Sequence, residues 1–69
     1  MIVTHDYGKV RIVRYGTPID LEHDIIVEWL KNDQWQLYLG FNTLSNDYDF
    51  TNVHAAAGRA LALLAAKID

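Results

Sequence analysis

Residues 53–68, VHAAAGRALALLAAKI, are apolar on almost every side when wound into a helix. A helix lying on one surface needs a single apolar stripe and a polar back. This run offers only His54, Arg59 and Lys67 as polar side chains over about four turns. The chain is therefore expected to cover one face of it with its own sheet, and something else is expected on another face.

Two stripes can be separated on a helix over about residues 52–68. Val53, Ala57, Ala60, Leu61, Leu64 and Ile68 recur at helical spacing and are expected to face a sheet. Ala55, Gly58, Ala62 and Ala65 form a second stripe of small residues only, a surface on which another backbone can approach closely. The same stripe also follows from the high helix propensity of alanine without any partner. Asp49 or Thr51 supplies the side-chain oxygen that caps the first turn.

Upstream, the apolar residues change to period 2. In residues 9–15, KVRIVRY, Val10 and Ile12 share one face, with Lys9, Arg11 and Val13 on the other. In residues 24–30, DIIVEWL, Ile25, Val27 and Trp29 oppose Asp24, Ile26, Glu28 and Leu30. In residues 34–41, QWQLYLGF, Trp35, Leu37, Leu39 and Phe41 oppose Gln34, Gln36, Tyr38 and Gly40. A short strand over residues 2–4 precedes the Asp6-Tyr7-Gly8 turn. Asp-Tyr-Gly, Gly16-Thr17-Pro18, Lys31-Asn32-Asp33 and Ser45-Asn46-Asp47 provide the breaks between runs.

The pattern predicts an α+β fold, a three- or four-stranded antiparallel meander with one C-terminal helix packed on one face, spanning residues 1–69 as a single small domain. A sheet with one covered face and one open face suits antiparallel pairing. For the loop at residues 31–33, a three-residue connection pairs Trp29 with Trp35 and Val27 with Leu37. A two-residue connection would place Leu30 opposite Trp35 and Glu28 opposite Leu37, mixing polar and apolar residues. A one-residue slip turns every side chain to the other face, so the three-residue loop and a Trp29–Trp35 contact are expected. Arg11, Glu28, Gln36 and Tyr38 are expected on the open face, with Ile26 and Leu30 adding apolar area.

Sixty-nine residues bury a limited core, and small domains often draw on disulfides, metals or self-association. The chain has no cysteine. Its three histidines, His5, His23 and His54, lack the convergent spacing of a zinc site. His54 is expected to face solvent and His5 to lie in a terminal strand or turn. Ser45 is the lone serine and has no nucleophile-elbow context. The glycines are isolated rather than arranged as a phosphate loop. No catalytic residue, metal or cofactor is expected. No secretory signal or membrane-length run is present, so a cytoplasmic protein is the expectation.

Charge is divided. Residues 17–50 hold Asp20, Glu22, Asp24, Glu28, Asp33, Asp47 and Asp49 against the single Lys31, a net of −6. That band disfavours nucleic-acid contact, although Lys9, Arg11 and Arg14 leave a basic first run as an alternative. Tyr38 and Tyr48 add aromatic anchors, and residues 46–49, NDYD, read either as a contact loop or as helix entry. The binding residues expected are therefore Asp20, Glu22, Asp24, Glu28, Asp33, Tyr38, Asp47, Tyr48 and Asp49. They would engage a larger protein or complex with a basic surface. Carboxylates of this kind can stand in for phosphates and inhibit a nucleic-acid-binding machine. The layout, strands followed by an alanine-rich helix, also resembles many small phage or mobile-element proteins and small antitoxin-type domains, a likeness at the level of fold. The alternative is a homo-oligomeric module, a homodimer through Ala55, Gly58, Ala62 and Ala65 or through the open sheet face. No membrane partner is expected.

Overall fold

The computed structural model describes residues 2–15, 23–45 and 48–66. Four strands come first: β1 (Ile2–Asp6), β2 (Val10–Arg14), β3 (Ile25–Lys31) and β4 (Gln34–Phe41). One helix follows, α1 (Phe50–Ala66). The sheet is antiparallel throughout, in the order β1-β2-β3-β4. This is the expected α+β meander, with four strands and a first strand two residues longer than anticipated.

Period 2 in β2 and β3 sets the core. Val10, Ile12, Ile25 and Val27 point to one side and meet Val53, Ala56, Ala57 and Ala60 of α1. Trp29, Tyr38, Phe41, Tyr48, Leu61 and Leu64 pack around them. The helix rests over β2 and β3 and reaches β4 less. Asp49 caps it: its Oδ1 accepts the Thr51 N–H at 2.8 Å, so the helix starts at Phe50 rather than at residue 52. The expected residues 67 and 68 lie outside the described residues. No described helix is long and apolar enough to cross a membrane.

The expected loop register does not occur. Lys31 pairs with Gln34 and Leu30 with Trp35, leaving a two-residue turn of Asn32 and Asp33. Both residues are left-handed, φ 55° and 64°, the type I′ geometry that matches strand twist. Asn and Asp tolerate that region better than other non-glycine residues. The mixing of polar and apolar residues, the reason to disfavour this register, is resolved in two ways. Glu28 is neutralised by Arg11, Nε to Oε1 at 2.7 Å, and the Arg11 guanidinium lies 4.1 Å over the Trp35 ring. A bulge between Val27 and Glu28 then shifts the pairing so that Val27 meets Leu39 and Ile25 meets Phe41.

The two indoles consequently lie on opposite faces, and no Trp29–Trp35 pair forms. Trp29 meets Tyr38 edge-on at 4.6 Å between ring centroids. Tyr38, expected on the open face, lies on the helix side because the two-residue turn sets Gln36 opposite Trp29 and Tyr38 follows two residues on. Gln36 pairs with Trp29 and shares that side. Away from the helix, Val13 and Ile26 are also buried, so Ile26 does not add apolar area to an open face as expected. They pair with each other, and Ile26 pairs in turn with Gly40, against which the His23 ring is laid.

Among the described residues nothing covers the small-residue stripe of α1. Ala55, Gly58, Ala62 and Ala65 are all exposed, and a Cβ built at Gly58 meets nothing within 4 Å. Glycine inside a helix costs roughly 0.5–1 kcal/mol relative to alanine. Gly58→Ala is therefore expected to raise the melting temperature by about 2–8 °C, read by circular dichroism. A lower melting temperature would mean that another backbone occupies the stripe.

Candidate functional site

Two strands border the sheet, and they differ in how they present their edge. β1 has five residues, a bulge between Val3 and His5, and Asp6 at its end. The Thr4 hydroxyl at the bulge donates to the Ile12 carbonyl at 3.3 Å. Short length, bulges and charge are the usual protections of an edge. β4 has eight residues, Gln34–Phe41, without a charged side chain or a proline. Among the described residues its only protection is the bulge at Tyr38.

The turn determines which backbone groups β4 leaves open. In a two-residue hairpin the residues flanking the turn exchange both hydrogen bonds, and alternate residues face outwards. Gln34 and Gln36 thus bond to β3, and the N–H and C=O groups of Trp35 and Leu37 point away from the sheet. The Leu30 N–H, opposite Trp35, accordingly turns to β2 and donates to the Lys9 carbonyl at 2.8 Å. Beside these open groups Leu37 is 53% exposed and Leu39 38%. Trp35 is half-buried, held by Arg11.

The carboxylates of the acidic band do not gather. Asp24, before β3, accepts the Thr43 N–H at 3.0 Å on Oδ1 and the Thr43 hydroxyl on Oδ2. Burial opposes its ionisation. The Thr43 bonds, its own backbone N–H and the Arg14 charge outweigh that and hold the Asp24 carboxyl below its ordinary value. Glu28 is paired with Arg11, and Asp49 caps α1. Asp33 stands exposed in the turn at the far end of β3. Asp20, Glu22 and Asp47 lie outside the described residues. Tyr48 is half-buried against the core.

A ring cluster that sequence reasoning missed joins β1 to the start of α1. His5 meets His54 edge-on at 4.6 Å, Phe50 tilts onto His54 at 4.6 Å, and the Tyr7 hydroxyl and His54 Nδ1 are 2.8 Å apart. His54 is therefore half-buried and bonded rather than facing solvent. His5 and Phe50 are 45 positions apart in the chain, and only the added length of β1 could have signalled the contact. Below the C-terminal half of α1, an open groove of about 700 Å³ runs between the two hairpin turns, lined by Tyr7, Lys9, Leu30, Asp33, Leu61 and Leu64. Among the described residues no three histidine or carboxylate side chains gather as metal ligands.

The fold is a four-stranded meander under one helix, with a guarded edge at β1 and an uncharged open edge at β4. No family of known proteins, no curated protein and no solved structure matches this chain.

Proposed function

We propose that this chain is a non-enzymatic protein-binding module and that β4 is its docking element, receiving an extended segment by strand addition. The observation that carries this reading is the eight-residue, charge-free β4 edge, with the Trp35 and Leu37 backbone groups open beside an exposed Leu37. In such recognition the main chain supplies affinity and alternate side chains supply selectivity. Each main-chain hydrogen bond contributes about 0.5–1.5 kcal/mol net, and burial of a leucine about 1.5–3 kcal/mol.

An acidic surface that meets a basic partner, including one that mimics phosphates, is the second reading. Asp33 at the tip of the same hairpin favours it, together with the −6 balance of residues 17–50. The two readings separate on salt and on one residue. With tagged protein as bait, Leu37→Lys is expected to remove the bound partner, whereas Asp33→Asn and raised salt leave it in place. Loss of the partner with salt, and indifference to Leu37→Lys, would instead favour electrostatic docking, which weakens with ionic strength.

A further inference from the structure

We infer that the segment received by β4 is β4 of a second copy, so that two chains close into a continuous antiparallel sheet across a two-fold axis at Gln36. The inference rests on the strand-addition reading above and names its occupant.

Charge comes first. Across a two-fold axis a strand meets its own residues reversed, so any charge near the axis faces itself. β4 carries none from Gln34 to Phe41. The outward backbone groups come next. With the axis at Gln36, Trp35 lies opposite Leu37 of the copy, and these are the residues whose N–H and C=O point out of the sheet. Each pair exchanges both hydrogen bonds, once on either side of the axis. On the face away from the helix, the exposed Leu37 then covers the Trp35 indole of the copy, itself backed by Arg11. On the helix side, the two Gln36 amides meet and each has a donor and an acceptor for the other.

Closure favours a second copy over an indefinite chain of copies. Addition of β4 to β1 of the next molecule would be head-to-tail and would propagate. The bulge at Thr4, Asp6 and the His5–His54 contact stand against that at β1. Pairing β4 with β4 leaves only β1 edges outside. The gain also answers a need of the fold, whose helix offers the core only Val53 and three alanines as fully buried residues. A single strand pair buries less than a stable interface of about 1,200–2,000 Å², so the dimer is expected to be weak, with Kd on the order of 10–100 μM.

Sedimentation equilibrium on the full chain, from about 5 μM to about 1 mM to bracket that constant, tests it. The weight-average mass is expected to rise from 7.9 kDa towards twice that value. Leu37→Lys places a charge opposite Trp35 of the copy and is expected to weaken association at least ~10-fold. Leu37 is exposed in the single chain, so its melting temperature at low concentration should stay unchanged. Leu63→Lys, on the bare face of α1, should leave association intact. In a mixture of differently isotope-labelled chains, intermolecular contacts between Trp35 and Leu37 are expected. A chain that stays at 7.9 kDa throughout, or a dimer insensitive to Leu37→Lys, overturns the proposal. If the chain is monomeric while Leu37→Lys still abolishes capture of another protein, self-pairing falls and strand addition stands. If capture is also indifferent to Leu37→Lys, both fall.

Discussion

Ile12→Ala is expected to leave the chain without a cooperative unfolding transition at 25 °C. Ile12 is 1% exposed and lies at the centre of the contact between sheet and helix. It pairs with Val27 on β3, and its carbonyl accepts the Thr4 hydroxyl from β1. Truncation of such an isoleucine costs about 2–5 kcal/mol, part from lost burial and part from the cavity left behind. A single core below about 70–80 residues rarely supplies more than about 3–5 kcal/mol in total. The surrounding residues offer little to refill the space, since Ala56, Ala57 and Ala60 are already minimal side chains. Ile12→Val, with a cost of about 0.5–1.5 kcal/mol, should remain folded with a reduced urea midpoint. Leu63→Ala, on the exposed face of α1, should change stability by less than about 0.5 kcal/mol. Urea titrations followed by circular dichroism compare the three. An unchanged midpoint for Ile12→Ala would mean that α1 does not seal the sheet at this point.

The sequence made this core readable because Val10, Ile12, Ile25, Val27 and Val53 obey an unbroken local period, 2 in the strands and 3.6 in the helix. Asp49 was readable as a cap for the same local reason. What stayed hidden depended on breaks in period. The bulge at Tyr38, which returns Leu39 and Phe41 to the side of Val27 and Ile25, has no glycine or proline at that position to announce it. The Asn32-Asp33 turn lacks the glycine that most clearly marks a type I′ hairpin. The turn reversed the faces of Trp35 and Tyr38, and the bulge returned Leu39 and Phe41 to the side of Val27 and Ile25. The candidate site was half legible. The absence of charge from residues 34–41 is plain in the sequence, but that β4 ends the sheet is a property of topology. The fate of the carboxylates was equally non-local: Glu28 is met by Arg11 from another strand, and Asp24 by Thr43 after β4.

Gly40→Ala is expected to destabilise the chain by about 1–3 kcal/mol, the range for forcing extra atoms into a packed site. A Cβ at this position would lie 2.7 Å from His23 Cγ and 2.8 Å from Cδ2. Those atoms belong to the root of the ring rather than to a free end. The adjoining backbone is fixed as well: the Asp24 N–H donates to the Phe41 carbonyl at 3.1 Å, and the Tyr15 N–H to the Asp24 carbonyl at 2.9 Å. The Asp24 carboxylate is held in turn by Thr43. The ring cannot retreat without disturbing one of these bonds, and it lies on the face where Ile26, the partner of Gly40, is buried. Glycine within a strand is otherwise unfavourable and commonly marks a close approach by another group. A double-mutant cycle isolates the contact. In a His23→Ala background the ring is gone, and Gly40→Ala should become neutral or stabilising by about 0.5–1 kcal/mol, as alanine restricts the unfolded chain. The expected coupling is therefore about 1–4 kcal/mol. Equal effects of Gly40→Ala in both backgrounds would show that the histidine ring does not cover this glycine, and that the strand tolerates a side chain there on its own terms.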